Sequence, residues 1–339
     1  MKNFVKMLKS TYLTKHKLFV FLNIILCVFE LRNKKISAFH TYIRREISNF
    51  YLKHYLARSY NLFIREENLQ SKFKSAESHD YLKYVDTDSV MHVGEIMESG
   101  VKLPHWKDMV TVQGSTDYRT FLQVGRSCFE TIYELLPKKD NLIILDFGIG
   151  CGRTSRHFYR HLKNNIEVYG CDVDYSCINY LQNEVPFINP MVSNNQPPLG
   201  YPAVYFDFIF SISVFSHLNE KMFIEWLNEL TRITKNNGTL ALSYHGEIAF
   251  DKSVKDKFKS LEINEKFHSK IKKDFIKNLY SWAPQGTSSK DIDKNQYGVS
   301  FINENFFKKN IPQNLSIESI IPGAINGWQD IIVLKKIGK

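Results

Sequence analysis

The sequence has no CxxC pair and no cysteine–histidine spacing of a metal site; its five cysteines, Cys27, Cys128, Cys151, Cys171 and Cys177, are odd in number and scattered. Such a set supplies neither a structural zinc nor a disulfide framework, and it predicts a reduced, cytoplasmic setting with no metal in the site. Long apolar runs are scarce as well. Leu18–Phe29 is 12 residues long and broken by Asn23, against the roughly 20 that a membrane-spanning helix needs. Lys2, Lys6, Lys9, Lys15 and Lys17 precede that run as they would in an export signal, but Glu30-Leu31-Arg32-Asn33-Lys34-Lys35 offers no small-residue cleavage site. Neither a transmembrane anchor nor export is expected.

Acidic residues are sparse at one end only. The formal charge is +10, yet residues 1–75 hold 15 Lys and Arg against 4 Asp and Glu, leaving 30 basic and 31 acidic residues beyond them. The basic character therefore belongs to an extension. Such a segment attracts phosphates, anionic lipids or acidic glycans through a field that salt screens, and it carries no information about fold. Pro and Gly are both missing from Lys34 to Gln70, where Tyr42, Ile43, Ile47, Phe50, Tyr51, Tyr55 and Leu62 recur at helical spacing. Residues 1–105 accordingly read as a helical, basic N-terminal extension. Its alternatives are a layer packed on the following domain and, through residues 1–75, a peripheral contact with the inner membrane surface.

With 339 residues, 43% of them hydrophobic, the chain has the length and composition of two folded units. Pro104 and Gly114 punctuate the passage into the second unit, residues 106–339, and Asp117–Leu136 reads as a helix. Beyond it, strand-like and helix-like segments alternate: Leu142–Phe147, a helix through His161, Glu167–Cys171, a helix through Asn183, Phe206–Ile212, a helix over Glu220–Ile233, then Thr239–Ser243. Alternation of this kind predicts a doubly wound α/β fold, with parallel strands joined by right-handed crossovers. A helical insertion over about 250–296, Lys-rich from Lys252 to Tyr280 and ending in the turn Ala283-Pro284-Gln285-Gly286, reads as part of a cover for the substrate or as a solvated helix. Ser316–Ile321 and Gln329–Lys335 read as closing strands joined through Pro322-Gly323, with Gln329-Asp330 bordering the acceptor.

The segment that bears on chemistry is Leu142–Arg153, an apolar strand running into Gly148, Gly150 and Gly152. Arg153 stands where a dinucleotide fingerprint has its third glycine, so the pattern is GxGxG and no pyrophosphate cradle is implied. Asp146, at the strand end, is placed to accept bonds from loop amides and to favour a cationic aminoacyl group. Asp172, twenty residues after Gly152, closes the next strand at the distance of a carboxylate that grips both ribose hydroxyls. Asp174 is the alternative ribose ligand, or else the cap of the following helix. Ser213–Leu218 follows the fourth strand, at the sheet edge where open α/β proteins bind ligands. His217 there, and His245 after the fifth strand, are candidate general bases; the competing role for each is a bond to loop backbone.

These stretches together resemble the class I methyltransferases, in the group that reads ILDFGCGCGR, GCDID, SFDLIYSISVFTHL and PGG. Here they are Ile144–Arg153, Gly170–Asp174, Phe206–Leu218 and Lys235-Asn236-Asn237-Gly238, the last departing from PGG with residues that still form a turn. The resemblance covers about residues 112–336. It implies a seven-stranded sheet with an antiparallel C-terminal strand and S-adenosyl-L-methionine as cofactor. It further implies cofactor contacts at Asp146, Gly148, Gly150, Gly152, Arg153, Asp172 and Ser213, and an adenine pocket at Met191–Gln196 with Ser193 and Asn194. For the acceptor it leans towards sugars, glycan ends or small metabolites. The alternatives are a nucleic-acid methyltransferase, disfavoured by the neutral catalytic part and the lack of a Pro-Pro-Tyr type motif, and an inactive cofactor-binding scaffold of a membrane-associated complex.

Overall fold

Five segments become parallel strands: β1 (Ile143–Phe147), β2 (Glu167–Asp172), β3 (Ile188–Val192), β4 (Phe206–Ser211) and β5 (Thr234–Tyr244). The structure, a computed structural model, describes residue 101 and residues 103–114, 118–285 and 297–338. The expectations for residues 1–75, and for a helical extension up to residue 100, lie outside the described residues. Two further helices precede the sheet, α1 (Trp106–Gln113) and α2 (Tyr118–Glu134). Between the strands come a 3-10 helix (Ser155–Asn164), α3 (Tyr175–Glu184) and α4 (Glu220–Ile233). After β5 follow α5 (Glu247–Lys255), α6 (His268–Lys277), β6 (Tyr280–Pro284), β7 (Gly298–Ile302), α7 (Glu304–Asn310), β8 (Leu315–Ile325) and β9 (Gln329–Lys336).

The main sheet has the order β3-β2-β1-β4-β5-β9-β8, with β9 antiparallel to both β5 and β8. Its middle is covered on both faces, which is why β4 is a run of six buried residues with no alternation. Phe147, Ile209, Phe215, Phe223, Trp226, Leu230, Leu240 and Leu334 belong to one core between β1, β4, β5, β9 and α4. α4 starts where Asn219 accepts from Met222 N at 3.0 Å and carries Arg232 in its last turn. Its terminal carbonyls of Thr231 and Thr234 take two bonds from the buried Lys336 ammonium, both 2.7 Å.

Several boundaries differ from the sequence reading. β5 begins at Thr234 directly after α4; Phe206 pairs with Thr234 but Phe208 with Thr239, so 235–238 bulge, with Asn237 at φ 59°. The segment after the glycine loop is a 3-10 helix. The insertion is only partly helical: Tyr280, Ala283 and Pro284 lie in β6, while 286–296 fall outside the described residues. Nor is α6 a solvated helix. Ile271 and Phe275 are buried in a second core with Phe250, Phe258 and Phe301, and the Phe250 and Phe275 rings stack at 3.9 Å. Pro322-Gly323 is a bulge inside β8; the turn is Asn326-Gly327, at φ 53° and 65°, as a type I′ hairpin requires. Among the described residues no helix is long and apolar enough to cross a membrane.

Candidate functional site

The carboxyl ends of β1, β2 and β4 open onto a cavity of about 240 Å³. Its floor is the turn after β1, where Gly148 and Ile149 donate to Cys171 O at 2.9 and 3.1 Å, tying the loop to the end of β2. Gly148 has φ 78°, and a Cβ there would lie 2.1 Å from Val214 Cγ2. Gly150 approaches α1, with Val112 Cγ2 at 2.7 Å from where its Cβ would be. Both line the cavity, as do Asp146 and Arg153. Gly152 is not in the lining; it has φ 73° and packs on Leu181 of α3, where a Cβ would lie 2.8 Å from Leu181 Cδ2.

The carboxylates divide the work differently from the sequence reading. Among the described residues Asp146 accepts no loop amide; it is 3% exposed and accepts the Ser155 hydroxyl at 2.6 Å. Asp172 takes the amide bonds instead, from Gly150 N at 2.7 Å and Asp174 N at 2.9 Å. Asp174 accepts from Cys177 N at 3.1 Å and caps α3. Burial raises the Asp146 carboxyl to about 7, the neighbouring Asp172 adding to the rise and the Ser155 bond and Arg153 opposing it. Asp172 is likewise raised by burial, against its amide bonds. All three carboxylates line the cavity beside Arg153, whose Nε is buried without a hydrogen-bond partner among the described residues.

Ser193, Asn194 and Asn195, after β3, line one side of the cavity, and Ser213, Val214, His217 and Leu218, after β4, another. Ser213 has φ 61°, a left-handed conformation held by a closed set of bonds. Its amide donates to Ser243 Oγ at 2.8 Å, Ser243 Oγ donates to Gln329 Oε1 at 2.7 Å, and Gln329 Nε2 returns to Ser213 Oγ at 2.9 Å. Gln329 therefore supports Ser213 from behind, and Asp330 accepts from Gly323 N at 2.7 Å; neither is in the lining of this cavity.

His217 Nδ1 lies 2.7 Å from Gly298 O. A carbonyl only accepts, so Nδ1 carries the proton and Nε2 keeps its lone pair. Burial holds this imidazole below its usual pKa, partly offset by the Gly298 bond. The ring stacks on Tyr297 at 4.6 Å and 12°. His245 is not brought to the cavity. It is 3% exposed, donates from Nδ1 to Ser300 O at 3.2 Å, and is lowered to about 3 by burial and by the neighbouring His217. The fold thus favours neutral His245: its contribution to stability is full above the unfolded value of about 6.5 and is lost at about 1.4 kcal/mol per pH unit below it. Unfolding free energies from urea denaturation should fall more steeply, by up to that amount, between pH 6.5 and 5 in the wild type than in His245→Gln; equal slopes would rule this out.

Sequence reasoning missed the cover: Thr111 and Val112 of α1 line the cavity, and Asp108 Oδ1 ties that helix to Ser176 Oγ at 2.8 Å. The available signals were His105 before the helix and Gly114 after it, at φ 69°. It also missed Tyr297 and Trp226, both in the lining.

The motif order has a counterpart among known proteins. Residues 144–238, from β1 to the bulge of β5, match the family model of the methyltransferase domain. Residues 144–238 thus carry a methyltransferase domain, and the protein is an enzyme that uses S-adenosyl-L-methionine. No curated protein matches it. Among solved structures it is similar to a SAM-dependent methyltransferase from Aquifex aeolicus, at 13% identity over 68% of this chain and 98% of that one, with a TM-score of 0.42. It is similar also to the Burkholderia thailandensis 1,6-didemethyltoxoflavin-N1-methyltransferase, at 12% identity over 68% and 85%, with a TM-score of 0.43. A third is a methyltransferase from Mesorhizobium loti, at 11% over 62% and 98%, with a TM-score of 0.40.

Proposed function

We propose that the enzyme methylates a hydroxyl group of a sugar, glycan or small metabolite by direct transfer, with His217 accepting the proton. The observation that carries this reading is the neutral His217, its Nδ1 proton committed to Gly298 O and its ring in the wall of the cavity that also holds Asp172 and the glycine loop. An alcohol must lose its proton as the new bond forms, and a positioned base is then worth about two to four powers of ten. The near balance of charge beyond residue 75 favours such an acceptor over nucleic acid.

The donor set suits the cofactor. Asp146, Asp172 and Asp174 give a carboxylate-rich wall for a sulfonium and an ammonium, while the unpartnered Arg153 Nε suits a carboxylate. In this reading Asp172 holds the ribose hydroxyls, Ser193 and Asn194 flank the adenine, and Ser213, Gly148 and Gly150 shape the surface along the rest. Bound S-adenosylmethionine supplies an electrophilic methyl carbon on a good leaving group. The protein contributes alignment and proton removal, and α1 with Thr111 and Val112 excludes water.

A panel of sugars, glycan fragments, alcohols and amines, assayed by release of S-adenosylhomocysteine, tests the reading. Turnover is expected with hydroxyl acceptors, falling as the pH drops through a midpoint below 6.5. His217→Gln is expected to lose that limb and about 100-fold in rate. Turnover confined to amines, or an unchanged pH profile in the variant, would sink it.

A further inference from the structure

Four consecutive carbonyls after β4 are held by one element, the two-stranded ribbon of β6 and β7. Ser300 Oγ donates to Phe215 O at 3.0 Å and Ser300 N to Ser216 O at 2.9 Å. His217 O accepts twice, from Gly298 N at 3.0 Å and Trp282 Nε1 at 3.2 Å, and Tyr280 Oη donates to Leu218 O at 2.8 Å. The same ribbon takes the His217 Nδ1 proton at Gly298 O, and Tyr297, just before β7, stacks on the ring. The arrangement needs glycine at 298, because a Cβ there would lie 2.5 Å from Trp282 Nε1 and 2.2 Å from Ala283 O. Holding the backbone of the segment accounts for the first five bonds. It does not account for a side chain whose proton and ring plane are fixed as well.

We propose that the β6–β7 ribbon is a clamp that positions His217, with Tyr297 as the positioning residue that fixes the imidazole plane and so the direction from which an acceptor hydroxyl approaches. The catalytic consequence rests on the reading of His217 as proton acceptor; the clamp itself does not. Two kinds of hold act on one ring. The bond to Gly298 O selects the tautomer with a free lone pair on Nε2, and the Tyr297 face removes rotation about the bond to the ring. Among the described residues the titratable rings against the imidazole are His245, at 6.4 Å between centroids from the end of β5, and Tyr297 itself, and Asp146, Asp172, Asp174 and Arg153 share the cavity wall with it. Burial lowers the His217 pKa and the bond to Gly298 O opposes it.

The test is nitrogen NMR of the full chain carrying ¹⁵N-histidine, with His217 assigned by its loss in His217→Gln. In the wild type and in Tyr297→Phe, His217 is expected as the Nδ1–H tautomer, titrating below about 6.5. In Tyr297→Ala the signal is expected to become a tautomer mixture, its midpoint rising by roughly half a unit or more as water reaches the ring, with the His245 signal unmoved. Where the alanine variant disturbs His245 too, Tyr297→Leu, which keeps apolar volume without the ring plane, decides the matter by the same two readouts. An Nε2–H tautomer in the wild type, or wild-type tautomer and midpoint in the deciding variant, would overturn the clamp. No acceptor enters this experiment, so its failure and that of the methyl-transfer reading are separately visible.

Discussion

Asp172→Ala will weaken S-adenosylmethionine and S-adenosylhomocysteine binding by about 100-fold or more in calorimetric titration, about 2.7 kcal/mol, and NAD will bind neither protein. The carboxylate accepts from Gly150 N and Asp174 N at 2.7 and 2.9 Å, so its removal orphans two amides of the loop that forms the cavity floor. Hydrogen bonds to a charged acceptor contribute about 1.5–3 kcal/mol each. The same oxygens are the ones proposed to meet the ribose, so loop order and ligand contacts are lost together. Asp174→Ala separates the two. It removes the α3 cap, costing about 1 kcal/mol of stability, and leaves the Gly150 bond in place, so its effect on affinity should stay below about tenfold. Tight binding of either ligand to Asp172→Ala would mean that the cofactor does not use the end of β2.

Asp172 was legible because its position follows from short-range facts: an apolar run, a glycine turn, a crossover and a second run, each bounded by residues that stop it. α4 was legible over its full length for the same reason; the structure adds that Asn219 caps it. The ribbon was not. β6 and β7 are five residues each, one of them contains Pro284, and each is a strand only because the other pairs with it. Hence Tyr297 was invisible, and so was the fate of His245, whose burial depends on Ser300 and Phe301 arriving from β7. Asp146 illustrates a finer limit: the sequence puts a carboxylate at the strand end, but only the following 3-10 helix decides that Ser155, rather than a loop amide, satisfies it.

Gly148→Ala should lose about 2–4 kcal/mol of stability, part of it from φ 78° and part from overpacking against Val214. The new Cβ would lie 2.1 Å from Val214 Cγ2. A β-branched side chain has few rotamers with which to yield, so the turn after β1 and the segment after β4 must part. Both line the cavity, and cofactor affinity is expected to fall by about 100-fold with the stability. Val214→Ala deletes the clashing methyl, so in the double variant about 1–3 kcal/mol should return while the left-handed strain of about 1 kcal/mol stays. Urea denaturation of the four proteins closes this cycle. A double variant no more stable than Gly148→Ala would show that conformation alone demands the glycine. Recovery in both stability and affinity would show that the glycine loop and the segment carrying His217 are one packed unit, which is what aligning a methyl group with its acceptor requires.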